Sequence, residues 1–162
     1  MAVTASETSN LNDVALEAWR SYLQSHAAIV RELDAELVAQ HGLTTRDYEV
    51  LLFLAQADRR RLAMSTLSER TMLTRSGITR LIDGLVGQGF VEREACSEDG
   101  RISYAKLTDP GYTKLKQAGC SHVVSIERLF VAHFSPAELE QLAGLLRRLP
   151  GASANATSCS VS

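Results

Sequence analysis

The sequence predicts a mainly helical fold built around a winged helix-turn-helix, and three observations predict it. Apolar residues recur at spacings of three and four over most of the chain, as in Ile78, Leu81, Ile82 and Leu85. Between Met64 and Leu107 the sequence reads as a short helix, a tight turn, a longer helix, a glycine stop and a two-stranded hairpin. Only three prolines interrupt 162 residues, so long helices can form on either side of that stretch. A chain of this length is one domain by prior and can bury a real core. The order of elements is helix, helix, strand, helix, helix, strand, strand, helix, helix.

The ten residues at the start, Met1 to Asn10, are small and polar and are expected to be disordered. Leu11 to Gln40 reads as one long helix with two neighbouring apolar stripes: Leu11, Ala15, Ala18, Tyr22, Ile29 and Leu33, then Trp19, Leu23, His26, Val30 and Leu37. So wide an apolar surface suits either a core helix within a monomer or, preferably, a helix shared between its own domain and a second subunit. Gly42 stops it. Thr44 and Asp47 cap a second helix that runs to about Ala57 through Tyr48, Leu51, Leu52, Leu54 and Ala55. Asp58-Arg59-Arg60-Arg61 is a charged turn followed by a short strand at Leu62-Ala63; the basic triplet reads as a solvated loop before it reads as a phosphate contact.

Ser65 is placed to cap a short third helix through about Arg70, with Leu67 inward. Thr71-Met72-Leu73 makes the turn, with Met72 and Leu73 plugging the space between helices. Thr74 caps the next helix, which runs to about Gln88 and ends at Gly89. Opposite its buried stripe lie Arg75, Ser76, Gly77, Thr79 and Arg80, short or cationic groups that fit a major groove. Phe90 to Ala95 and Arg101 to Leu107 are hairpin strands joined by the turn Ser97-Glu98-Asp99-Gly100, with Ala105 and Leu107 sharing a face. Thr108 caps a long helix with Pro110 in its first turn, expected to reach about His133. Ser135-Pro136-Ala137-Glu138 is a capping box for the last helix, which carries Leu139, Leu142, Leu145, Leu146 and Leu149 before Pro150 and Gly151. The tail to Ser162 is small-residue sequence.

Net charge is −2, so the chain as a whole does not resemble a polycation. Arg59 to Lys106 nonetheless holds nine Lys and Arg against six Asp and Glu, a local +3, which leaves 8 basic and 13 acidic residues elsewhere, −5. Cys96, Cys120 and Cys159 are too few and too scattered for a disulfide framework, with Cys120 expected to be packed. His26, His41, His122 and His133 show no metal-ligand spacing, so neither a metal nor another cofactor is expected. No nucleophile elbow, phosphate loop or carboxylate pair marks an enzyme. With no signal peptide or spanning apolar run, the reading is a cytoplasmic protein without a membrane partner.

Taken in order, Gly42-Leu43-Thr44 with Tyr48-Glu49-Val50-Leu51, the run Thr74 to Leu85, Gly89-Phe90-Val91-Glu92-Arg93, and Asp99-Gly100-Arg101 before Leu107-Thr108 and Gly111 resemble the multiple-antibiotic-resistance regulator (MarR) family over Leu11 to Leu149. The resemblance implies a homodimer whose first, fifth and sixth helices interlock: a helical dimerisation region at 11–41 and 108–149, a winged DNA-binding lobe at 42–107, and disordered ends at 1–10 and 150–162. It implies binding to a pseudo-palindromic operator, repression of a nearby gene, and release by a small aromatic or phenolic effector. The chain departs from the pattern at Gly100, where the family's wing often has Arg, and in the helix glycines Gly77, Gly84 and Gly87, each costing about 1 kcal/mol of helix propensity against Ala.

Ser76, Thr79 and Arg80 are the expected base contacts, Arg80 as a bidentate partner of guanine. Arg75, Ser65 and Thr74 are expected on phosphates, Arg101 in the minor groove. Gly77 reads equally as a close approach to DNA and as mere tolerance. Arg93 reads equally as a DNA contact and as an ion-pair partner of Asp99 or Asp83. In the resembling proteins the effector lies between the first helix, the second helix and the DNA-binding lobe. Trp19, Tyr22 and His26, with Arg20 nearby and Tyr48 and Phe53 completing the wall, would line an aromatic pocket there; a plain core is the rival reading. Two other functions remain: a redox switch at Cys96, although resembling peroxide sensors carry their cysteine near the start of the first helix, and a scaffold binding DNA or protein without sequence specificity.

Overall fold

A computed structural model describes residues 12–95 and 102–150. Helix α1 spans Asp13–His41 and α2 spans Thr45–Gln56. A 3-10 turn at Asp58–Arg60 leads into β1, Arg61–Ala63. Helices α3, Met64–Thr71, and α4, Arg75–Gly87, make the helix-turn-helix. Strands β2, Val91–Ala95, and β3, Ser103–Leu107, make the hairpin. Then come α5, Asp109–Leu129, a 3-10 turn at Val131–His133, and α6, Pro136–Leu146. The three strands form one antiparallel sheet in the order β1-β3-β2, with Leu62 opposite Ala105 and Arg93 opposite Ala105 on the other side. The mainly helical winged helix-turn-helix is thus present.

Most boundaries follow from local chemistry. Asn12, Thr44, Thr74, Thr108 and Ser135 each cap a helix by accepting a backbone N–H in the first turn. Thr44–Asp47 and Ser135–Glu138 complete reciprocal capping boxes. Gly42 ends α1 with φ 67°, its N–H donating to the free Val38 carbonyl at 2.9 Å and the next N–H, of Leu43, to that of Leu37 at 3.5 Å.

Four expectations need correction. Ser65 does not cap α3: the helix leaves β1 directly, Ala63 sits at the cap, and no side chain bonds that end. Met72 does not plug the helix pair; it is 88% exposed and takes a left-handed φ of 53°. The turn around it closes from below instead, through the Ser68 hydroxyl to the Leu73 carbonyl at 2.6 Å and Arg46 to the Thr71 carbonyl at 3.2 Å. Helix α5 stops at Leu129 rather than His133, because Phe130 leaves helical geometry and packs its ring, tilted, against Phe134 at 5.4 Å. Cys120 is exposed on α5, not packed.

The core lies in the lobe. Leu43, Val50, Leu51, Leu54, Leu67, Ile78, Ile82, Leu85 and Ala105 are all fully buried. Each large aliphatic there contributes about 1.5–3 kcal/mol by leaving water. From α1 only Leu33 and Leu37 are buried, and from α6 none. Trp19, Tyr22, Leu23 and Val30 on α1, and Val123 and Val124 on α5, stand exposed. Among the described residues, no helix is long and apolar enough to cross a membrane.

The lobe joins α5 through a tight backbone approach. The Phe90 carbonyl accepts the Thr108 N–H at 3.1 Å, and the Thr108 hydroxyl donates to the Gly89 carbonyl at 2.7 Å while accepting from Gly111 N–H at 3.1 Å. A Cβ at Gly111 would collide with the Phe90 carbonyl oxygen and stand 2.8 Å from Leu107 Cδ1. Since backbone cannot give way as a side-chain tip can, Gly111→Ala should destabilise by about 2–3 kcal/mol and lower Tm by about 4–12 °C in thermal denaturation.

Where α1, α2 and α5 meet, two histidines lie partly buried. His122 packs on Tyr48 with ring centroids 4.7 Å apart and leaves its Nδ1 without a partner. His41 Nε2 lies 2.7 Å from the Ser121 hydroxyl. Burial holds both imidazoles below the ordinary value, with Lys114 adding to the effect at His41. The unfolded chain therefore binds protons more readily than the folded one. Their contribution to stability is intact above about pH 6.5 and is lost as pH falls from there through the depressed folded values. Urea midpoints measured from about pH 7.5 to about 5 should show that decline, and His122→Phe, which keeps the ring on Tyr48, should flatten it.

Candidate nucleic-acid interface

Helix α4 is built to show one face. Ile78, Ile82 and Leu85 are fully buried, so the turn of the helix carries Arg75, Ser76, Thr79, Arg80 and Asp83 outward. These five and Thr74 line a shallow open depression. The Thr74 hydroxyl accepts the Gly77 N–H at 3.1 Å and lies 3.2 Å from the Ser76 hydroxyl. The Thr79 hydroxyl donates to the Arg75 carbonyl at 2.8 Å, which leaves its lone pairs and methyl group outward. Gly77 faces the cap: a Cβ there would meet Thr74 Oγ1 at 3.2 Å and Leu73 Cβ at 3.6 Å. Crowding of the cap is therefore a third reason for this glycine, beside the two that the sequence suggests.

The electrostatics sort the basic residues. In the described structure α1, α2, α5 and α6 each carry an acid in the first turn, whereas α3 and α4 carry none. Their positive ends are left for an external anion. Ser65 is exposed in the first turn of α3. Arg75 and Arg80 pair with no acid among the described residues. Arg70 likewise pairs with no acid among the described residues and lies over the Phe53 ring at 5.6 Å, whereas the cations around the sheet are engaged. Arg60 pairs with Asp109 at 3.1 Å and lies 4.1 Å over Tyr112; Arg61 reaches Glu94 at 3.4 Å. Lys106 sits between Glu92 at 3.0 Å and Glu94 at 2.8 Å, which holds the Glu94 carboxyl below and the Lys106 ammonium above their ordinary values. Of the Arg59-Arg60-Arg61 triplet two members thus hold the lobe together, and Arg59 is the exposed one.

Arg93 resolves to the ion pair with Asp83: its Nε and Nη2 both donate to Asp83 Oδ1, at 3.2 and 2.8 Å. Arg101, Asp99 and Gly100 at the hairpin turn, and Cys96 with the redox reading attached to it, lie outside the described residues.

The expected effector residues divide into two places. Trp19, Tyr22 and His26 form a ladder along α1, with centroids 6.3 and 6.1 Å apart. Tyr22 and His26 line an apolar groove of about 740 Å³ with Ile29, Phe130, Phe134 and Leu142. Tyr48 and Phe53 are not on that groove. Both are buried in the lobe, Tyr48 against His122 and Phe53 beneath Arg70 at 5.6 Å. Sequence spacing could not separate the two sets, because α1 meets the lobe only through its last turns. The partners it missed come from far along the chain, His122 on α5 lying 74 residues beyond Tyr48, and Phe130 and Phe134, in the segment after α5, more than 100 residues beyond Tyr22, out of reach of any local pattern. Among the described residues, no group of three or more His, Cys, Asp or Glu could hold a metal ion.

The MarR family model matches residues 41–102. The HTH-type transcriptional repressor YetL of Bacillus subtilis is 32% identical over 67% of this chain, a match spanning 64% of YetL, less than two thirds of its length. The uncharacterized HTH-type regulator YkoM of the same organism is 33% identical over 67% of this chain and 69% of its own. Among solved structures, Sco3205 of Streptomyces coelicolor, a MarR family regulator in complex with DNA, superposes with a TM-score of 0.82 at 30% identity, covering 88% of this chain and 89% of that one.

The Thr74 cap is worth measuring apart from any ligand. Thr74→Ala should lower the unfolding free energy by about 1 kcal/mol, or about 2–4 °C in Tm, through the loss of the Gly77 N–H bond.

Proposed function

The chain belongs to the MarR family of DNA-binding transcriptional regulators, which are not enzymes, and on that premise we propose that it acts as a homodimeric repressor released by a small aromatic or phenolic effector. The observation that carries the DNA reading is the unpaired cationic and hydroxyl face of α4, opposite the buried Ile78, Ile82 and Leu85. Ser76, Thr79 and Arg80 read base edges. Ser65, Thr74 and Arg75 meet phosphates, Gly77 lets the backbone approach, and Arg101 enters the flanking minor groove. The exposed apolar surfaces of α1 and α5 and the groove against α6 support pairing with a second copy. Two recognition helices about 34 Å apart would then read successive major grooves of a pseudo-palindrome.

Repression is supported by the likeness to YetL, whose name states that role. The effector shifts the equilibrium by binding more tightly to a state whose lobes no longer match the operator spacing. Trp19, Tyr22 and His26 on α1, and Tyr48 and Phe53 on α2, are the aromatic groups through which it would act.

Arg80→Ala tests the recognition face. Affinity for the strongest duplex recovered from a randomised pool should fall by about 1–3 kcal/mol at matched salt, with the oligomeric state in sedimentation unchanged. Equal affinity of the wild-type protein for that duplex and for random sequence would support a non-specific scaffold instead.

A further inference from the structure

The hairpin is held on both faces. Alternation along β2 puts Glu92 and Glu94 on the side of Lys106 and Tyr104, where Lys106 ties the two hairpin strands together and Arg61 clips the hairpin to β1. It puts Arg93 on the side of the buried Ala105, facing α4. There Arg93 delivers two N–H groups to one oxygen of Asp83, and its Nη2 lies 3.5 Å from the Thr79 carbonyl. Asp83 stands in the outward face of α4, three residues past Arg80 and four past Thr79. The covalent link between α4 and β2 is only Gln88-Gly89-Phe90, with Gly89 at φ 78°.

We propose that Asp83 and Arg93 form a strap that fixes the hairpin against the recognition helix, so that major-groove and minor-groove contacts are presented to DNA in one register. This rests on the DNA-reading function proposed above. Both are positioning residues. Asp83 gains a second consequence from the pairing: a bare carboxylate on that face would repel phosphate, and the guanidinium neutralises it. The pair is half-exposed, with side-chain accessibilities of 34% for Arg93 and 60% for Asp83, so its share of folding stability is small. Its effect falls on the relative placement of two elements that contact DNA at once. A loose hairpin must be ordered at the moment of binding.

The test is a double-mutant cycle of Asp83→Asn, Arg93→Gln and the double variant, on the duplex that the wild-type protein selects from a randomised pool. Each single variant should bind that duplex about fivefold more weakly, the Boltzmann factor of an exposed ion pair at the top of its range. The double variant should bind no worse than either single. Tm should stay within about 2 °C of wild type. Replacing guanine by inosine in the flanking minor groove, which removes the exocyclic amine without touching the major groove, should change wild-type affinity and leave that of the single variants nearly unaltered. Single variants that bind as tightly as wild type would overturn the strap. So would strictly additive losses, which would make Arg93 an independent phosphate contact. A wild-type protein that enriches no sequence would overturn the DNA-reading proposal and the strap with it, which separates that failure from the other two.

Discussion

The seating of α5 on the Phe90 carbonyl is the constraint on which the rest of the structure depends. The Gly111 backbone, lacking a Cβ, lets the first turn of α5 close over the end of the hairpin segment, while Thr108 ties the same carbonyl and that of Gly89. The position of β2 and, through Gln88 to Phe90, the end of α4 are thereby referred to the axis of α5. Displacement of the recognition helix against the long helices is resisted here, at the contacts of Leu33 and Leu37, and where Arg60 meets Asp109 and Tyr48 meets His122. A regulator that works by changing the spacing of two reading heads needs a stiff link there, since slack would absorb the effector's differential binding energy before it reached the DNA.

The distribution of apolar burial gives the two halves different dependence on a partner. The lobe holds most of the core, with nine large side chains and Thr71 among the most deeply buried groups, drawn from α2, α3, α4 and the loop that precedes α2 and completed by Leu115 of α5 and Leu37 of α1. The long helices do not. Their Trp19, Leu23, Val30, Val123 and Leu145 remain exposed, and the Tyr22–Phe134 groove is lined mainly by apolar side chains. A helix pair that leaves so much apolar area in water gains little from folding alone and much from association. The proposed dimer thus couples folding of the long helices to assembly, while the lobe keeps its shape.

The lobe was far more legible in the sequence than the long helices, for a physical reason. Lobe elements are short and bounded by caps whose chemistry is local: Thr44 with Asp47, and Thr74, each announce a helix start within four residues. The stripe Ile78, Leu81, Ile82 and Leu85 fixes by geometry which face of α4 is outward. The misreadings share a different origin. Met72 is apolar and was expected inside, but the helix-turn-helix turn needs a left-handed residue there, and backbone demand outweighed side-chain hydrophobicity. Ser65 has the chemistry of a cap but sits one residue inside α3, because β1 feeds straight into the helix. Tyr48 and Phe53 were grouped with the α1 aromatics because residue type was the only guide, and type carries no information on which of two apolar environments a helix faces.

The charge pattern has the same logic. A chain of net −2 cannot rely on long-range attraction to a polyanion, so its few cations must be placed. Arg60, Arg61, Arg93 and Lys106 are each committed to an acid within the fold, on α5, the hairpin or α4. Three of those pairs are neutral within the Arg59–Lys106 stretch, so its local excess survives them almost whole, only Arg60 being paired with an acid outside it. The pairing leaves Arg75 and Arg80 beside a helix end that carries no acid. Ion pairs of this kind add little to stability individually. Their larger consequence is to leave the first two turns of α4 with Arg75 and Arg80 uncommitted, so that the arrangement of donors, and not their number, sets what the face can recognise.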